Sequence, residues 1–166
     1  VAQGGGGGVL VADAAKLEAR RGLVVQGNTA HLDGGGGALF NATIVYLCHN
    51  PTISQNHAGR DGGGAFISGK IASIGSGILE HNSASQDGGG LYLMTPLRIL
   101  AEGDCMSSVD AATADMIQTV HGETLLRGNS AGRSGGGSVM SGTEAVMQVS
   151  ERQTLRVQGN RAERGH

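Results

Sequence analysis

Tryptophan is absent from the 166 residues, and only two Phe and two Tyr are present. So few large side chains exclude a broad core and point to a thin one. Aromatics on which bases could stack are equally scarce. Positive charge is not in excess either. Lys and Arg number 12 against 14 Asp and Glu, a formal net charge of −2, so no basic footprint for nucleic acid exists and no nucleic-acid partner is expected. No apolar run approaches the ~18–20 residues of a membrane-spanning helix, and no membrane insertion by this segment is expected. Cys48 and Cys105 make no disulfide framework, and no C-x-x-C pair suggests zinc or redox chemistry. A bridge between these two would need an intervening loop to fold back.

What is plentiful is glycine, 31 residues, and it follows a pattern. Asn82-Ser83-Ala84 leads through Asp87 to Gly88-Gly89-Gly90-Leu91-Tyr92. The same phrase runs from Asn56 through Asp61 to Phe66, and from Asn28 through Asp33 into four glycines. A fourth copy runs from Asn129 to Val139, with Ser134 in place of Asp. The chain opens on the glycine half of the phrase, Gly4 to Gly8, and closes on the asparagine half, Asn160-Arg161-Ala162. A recurring phrase at this spacing is the signature of a repeat architecture. It also makes the chain read as part of a longer array, flanked by further turns or stacking end to end with other copies.

The first residues after the glycine runs, Val9, Ala38, Ala65, Leu91 and Ser138, are spaced 29, 27, 26 and 47 apart. Within each step a short apolar piece follows the glycines. A second piece follows a polar break (Leu97 to Ala101 in the fourth copy), and a third leads into the Asn. Three before each Asn stand Val25, Ile53, Leu79, Leu126 and Val157, an apolar column expected to face inward. Ser54 and Glu80, one residue on, are expected to face outward. The second residues after the glycines, Leu10, Leu39, Phe66, Tyr92 and Val139, form another apolar column read as core. Such narrow columns predict an all-β fold over residues 1–166. It is a right-handed parallel β-helix, a solenoid of about five turns of three short strands. A leucine-rich repeat is the rival, since Leu23-x-Val25-x-x-Asn28 fits its consensus. Those repeats return on a helix or convex segment, not through a triple glycine.

The long fourth step places an inserted loop at 102–121. It carries Glu102, Asp104, Asp110 and Asp115 without Lys or Arg. Met106, Val109, Thr113, Met116 and Val120 recur at helical spacing and allow a short helix there.

Stacked copies bring Asn28, Asn56, Asn82, Asn129 and Asn160 together as a structural amide ladder, since each carboxamide has two N–H donors and an acceptor. Asp33, Asp61 and Asp87 stack likewise. An Asp before glycine is a turn residue that accepts local N–H bonds, and Arg60 and Arg133 stand beside the column to offset its charge. A column of carboxylates also leaves open a Ca²⁺ site or paired acids for glycoside chemistry. No P-loop, dinucleotide or calcium-nonapeptide pattern completes itself around the glycines. The six His, at 31, 49, 57, 81, 121 and 166, share no repeat position. No catalytic residue, cofactor or resident metal is therefore expected.

The coupling of Gly36-Gly37-Ala38-Leu39 and Gly63-Gly64-Ala65-Phe66 with Val25-x-x-Asn28, Ile53-x-x-Asn56 and Leu79-x-x-Asn82 resembles the repeats of chlamydial polymorphic membrane proteins. Those pair Gly-Gly-Ala-aliphatic with Phe-x-x-Asn; here Val, Ile or Leu replaces the Phe. The resemblance implies a secreted or surface-displayed β-helix used in adhesion, with a protein or glycan surface ligand. A pectate-lyase-like enzyme or polysaccharide binder is the alternative, and it would use the corner Asp column.

Overall fold

The computed structural model describes residues 2–13, 16–19, 22–47, 50–74, 77–94, 119–120, 123–141, 148–149 and 154–164. Among them there are strands and turns and no helix. The architecture is an all-β parallel solenoid of stacked sheets. The first sheet orders Val9–Val11, Gly37–Leu47, Ala65–Ile74, Leu91–Met94 and Ser138–Ser141, with Lys16–Ala19 also paired to Gly37–Leu47. The second orders Val24–Gln26, Thr52–Ser54, Gly77–Glu80, Glu123–Arg127 and Thr154–Gln158. The third holds two-residue strands directly after each Asn: Thr29–Ala30, His57–Ala58, Ser83–Ala84, Ser130–Ala131 and Arg161–Ala162. Every pairing is parallel and follows the repeat order, so each layer rests on the one before it.

The corners explain the glycines. Each begins with a glycine in the left-handed region, Gly34 at φ +66° and Gly62 at +66° among them. A side chain there would be strained. The next glycine of each corner, such as Gly63, lies where a Cβ would collide with the backbone of the following layer at Ser83 and Gly89. The third meets both backbone and ladder: a Cβ on Gly36 would come within 2.5 Å of Gly64 O and 3.0 Å of Asn56 Nδ2. The first glycine thus answers a demand of conformation, and the next two a demand of close approach between layers.

A further left-handed position precedes every ladder Asn. Gly27, Gly128 and Gly159 occupy it with φ near +60°, but so do Gln55 at +57° and His81 at +53°. A side chain in this region costs about 1–2 kcal/mol. His81→Gly is expected to stabilise the fold by roughly 0.5–1 kcal/mol after the extra chain entropy of Gly is subtracted. A higher denaturation midpoint with an unchanged denaturant slope would register that gain.

Val25, Ile53, Leu79, Leu126 and Val157 stand in register in the second sheet. The first four are buried, whereas Val157 in the last layer is 59% exposed. Ser54 departs from expectation, for it is buried, while Glu80 is half-buried and paired with Arg127.

The second apolar column requires correction. Leu10 pairs with Ala38, not with Leu39, and Ala38 in turn pairs with Phe66. The register column is Leu10, Ala38, Phe66, Tyr92 and Val139. It faces away from the core, because the flanking Ala65 and Ile67, and Leu91 and Leu93, are the residues that fill the core. Leu39 belongs with Ile67 and Leu93 inside. The cause is Gly37, the fourth glycine of its run. It occupies the strand position held by Val9, Ala65 and Leu91 elsewhere. A one-residue slip exchanges the two faces of a strand.

The displaced aromatics still find burial. The Phe66 and Tyr92 rings stack at 5.3 Å, and Phe40 adds a tilted ring 5.3 Å from Phe66. Phe40 reaches that stack because two residues, Phe40 and Asn41, stand where the neighbouring strand has only Ser68. This is a β-bulge, and it re-aims a side chain as bulges do.

Thr119–Val120 forms a strand paired with Gln148–Val149. Thr119 and Val120 are the described residues of the insertion expected at 102–121. Val120, the last position of the suggested helical spacing, lies in that strand. Residues 102–118, the second piece expected at Leu97 to Ala101, and both Cys48 and Cys105 lie outside the described residues.

Candidate functional site

The corner collects the polar residues that the repeat singles out. Asn28, Asn56, Asn82, Asn129 and Asn160 stack as a directional ladder. Each Nδ2 donates to the Oδ1 of the next rung, at 3.0, 3.0, 3.1 and 3.0 Å in sequence order. Each backbone N–H donates to that same Oδ1, at 2.9, 3.0, 2.9 and 2.9 Å. The second Nδ2 hydrogen goes to a main-chain carbonyl of the layer before. Asn56 uses Val25 O at 3.0 Å, Asn82 uses Ile53 O at 2.9 Å, and Asn129 uses Leu79 O at 2.9 Å. Both donors and the acceptor of each inner carboxamide are thereby consumed. This tie also locks the corner to the apolar column, since those carbonyls belong to the core residues themselves. Two residues past each Asn, Ala30, Ala58, Ala84, Ala131 and Ala162 fall in one register column.

The aspartates stack on the same corner, and each turns its carboxylate toward the following layer. Asp33 Oδ1 accepts from Asp61 N–H at 3.3 Å, Asp61 Oδ1 from Asp87 N–H at 3.0 Å, and Asp87 Oδ1 from Ser134 N–H at 2.9 Å. Arg60 grips Asp33 with two nitrogens, its Nε at 2.9 Å from Oδ1 and its Nη2 on Oδ2. Arg133 grips Asp87 the same way, with Nε at 3.2 Å. Gln86 occupies the equivalent position beside Asp61, so the middle carboxylate has no guanidinium of its own. Where a cation would have to sit between layers, a guanidinium already sits at two of three rungs. Among the described residues no three His, Cys, Asp or Glu side chains are grouped to hold a metal ion.

The two environments split the acids. Burial pushes the Asp61 carboxyl above its ordinary value; the Asp87 N–H pulls it back, and the charges of Asp33 and Asp87 add to the rise. The Arg133 hydrogen bond holds Asp87 below its ordinary value against the effect of burial. A raised pKa means that Asp61 contributes most below its unfolded value near 3.8 and loses that contribution as pH rises through the folded value. A lowered pKa means the reverse for Asp87: its contribution is present above 3.8 and lost on acidification through the folded value. Asp61→Asn keeps an Oδ1 acceptor and is expected to gain on the parent chain as pH rises from about 4 to 7. Asp87→Asn is expected to be less stable than the parent at neutrality and to converge with it in acid. Thermal melts across that range read both trends.

Two neighbouring pairs escape a reading of the phrase alone. His57 Nδ1 lies 2.8 Å from Ser83 Oγ, and Arg127 pairs with Glu80. Both lie in columns flanking the Asn, one residue after it and two before it, so comparing every repeat position would find them. A Ser–His contact is the beginning of a nucleophilic pair, but nearby oxyanion donors are committed. Ser83 N–H donates to Asn56 O and Ser85 N–H to Ala58 O. His31 is exposed, and His49, His121 and His166 lie outside the described residues. No described helix is long and apolar enough to cross a membrane. No protein-family model, curated protein or solved structure matches the chain.

Proposed function

We propose that this chain is a non-enzymatic structural and adhesive segment of an extracellular or cell-surface β-helix, wound as a right-handed coil of about five turns. The observation that carries the proposal is the use made of the corner polar groups. The inner Asn carboxamides are spent on one another and on core carbonyls. Asp33 and Asp87 are neutralised by Arg60 and Arg133. Residues held this way stiffen a scaffold; they are poorly placed to move protons or hold substrate. The repeat resemblance to chlamydial polymorphic membrane proteins adds support for display outside a cell and for a protein or glycan surface ligand. The ladder also suggests how the coil extends. One Nδ2 hydrogen of each rung points toward the C-terminal layers and its Oδ1 accepts from the N-terminal side, so any added layer bringing a carboxamide, from the same chain or another copy, can continue it.

The competing reading is a carbohydrate-active β-helix centred on Asp61, the one corner acid without its own arginine. Beads coated with the parent chain and with Asp61→Asn discriminate. Equal adhesion of both to cells, with no cleavage of polygalacturonate and no effect of chelator on melting, is the expected result. Cleavage by the parent that Asp61→Asn abolishes would replace the proposal with an enzyme. Absence of adhesion by either would remove the adhesive part.

A further inference from the structure

We infer that Asn41 is the acceptor of an N-linked glycan, an inference that rests on the extracellular reading above. The sequence contains seven asparagines, and Asn41-Ala42-Thr43 is its one Asn-x-Ser/Thr triplet in which x is not proline. The fold explains why the others lack it. The residue two past each ladder Asn is Ala30, Ala58, Ala84, Ala131 or Ala162. The first four are buried at the corner, where a hydroxyl would enter a packed site. Asn50 is followed by Pro51, which the triplet forbids. The corner therefore withholds the triplet from every buried asparagine.

Asn41 sits in the opposite environment. It is exposed. It belongs to the bulge where Phe40 and Asn41 oppose Ser68, between the paired positions Leu39 and Ala42. Its φ is +51°, a conformation that Asn tolerates better than most residues. Phe40 is drawn onto the Phe66 ring, which leaves Asn41 as the residue of the bulge open to solvent. A glycan there would project from the coil without displacing core or ladder. The left-handed φ alone accounts for an asparagine. It does not call for Thr43, and that difference makes the inference testable.

The reaction is a substitution. Asn41 Nδ2 forms a bond to the anomeric carbon of a lipid-diphosphate-linked oligosaccharide. The bond from that carbon to the diphosphate oxygen breaks, the lipid diphosphate leaves with the electron pair, and Nδ2 gives up one proton. No redox partner is involved.

The test takes the chain from the medium of eukaryotic cells secreting it, and from the surface of its native cells, where display is scored separately by an impermeant label. Glycosidase release followed by peptide mass spectrometry should find one glycan, with Asn41 converted to Asp. Asn41→Gln and Thr43→Ala should each abolish it, and Thr43→Ser should retain it. Thr43→Ala keeps the asparagine and removes only the hydroxyl that the triplet requires, so loss there separates acceptor function from a merely conformational asparagine. Secreted or surface-displayed chain with bare Asn41 would overturn the inference and leave the extracellular reading standing. Native chain absent from both the surface and the medium of its cells would overturn both.

Discussion

Leu79→Asp is expected to abolish the cooperative melting transition near neutral pH. Leu79 is 1% exposed and lies in the middle of the inward column, between Ile53 and Leu126. A carboxylate there meets aliphatic groups on all sides. It must stay charged without a partner or take up a proton, and either route costs about 4 kcal/mol or more. Domains of this size have roughly 5–15 kcal/mol in total, so most of the margin disappears. Ile53→Asp should behave alike. Ile78, the next residue, is 37% exposed, and Ile78→Asp should be mild. Glu80→Ala should be mild as well, because its partner Arg127 is half exposed and such pairs contribute about 0–1 kcal/mol. Ser54 makes a poor control, being itself buried. Circular dichroism melts of the four variants distinguish these outcomes. Burial raises the pKa of an introduced carboxyl, so Leu79→Asp should recover partly in acid. Equal melting at Leu79 and Ile78 would mean that the inward face is misassigned.

Asn82→Ala is the second large effect. Removing this carboxamide deprives the Asn56 N–H and Nδ2 of their shared acceptor and takes a donor from Ile53 O and from Asn129 Oδ1. All of these groups are buried. At about 1–3 kcal/mol for each group left unsatisfied, the loss should be on the order of 4 kcal/mol, allowing for partial relaxation. The effect should shrink toward the ends of the ladder, because Asn28 and Asn160 are only half-buried. A denaturant series over Asn28→Ala, Asn82→Ala and Asn160→Ala reads this gradient. A flat response would mean that the rungs act independently of burial.

Much of this could be read from residue order. The Asn phrase repeats because one carboxamide must meet the next, so alignment on Asn brings the ladder and the Val25 column into register together. The Asp column came with it, as did Arg60 and Arg133. The first sheet was harder because glycine runs differ in length. Counting from the end of a run puts Ala38 level with Ala65, whereas the pairing puts Gly37 there. The physically fixed point is the first glycine of the corner, left-handed at Gly6, Gly34, Gly62, Gly88 and Gly135. Each begins its strand three residues later, at Val9, Gly37, Ala65, Leu91 and Ser138. Counting from that residue returns the observed register and turns Phe66 and Tyr92 outward. The burial of those two rings on the outer face had no local signal. It depends on a bulge at Phe40 and Asn41 and on a stack across three layers.

Hydrogen exchange at the asparagine carboxamides tests most directly whether the corner is a structural interlock. Side-chain NH₂ groups exchange quickly in water unless both hydrogens are held. The Nδ2 protons of Asn56, Asn82 and Asn129 are each divided between a core carbonyl and the next rung. They should therefore persist in D₂O on the timescale of the buried backbone amides, while those of exposed Asn41, in chain produced without glycosylation, vanish within the dead time. Carboxamide protons at Asn56, Asn82 and Asn129 that exchange as fast as those of Asn41 would contradict the ladder, and with it the structural role assigned to the corner.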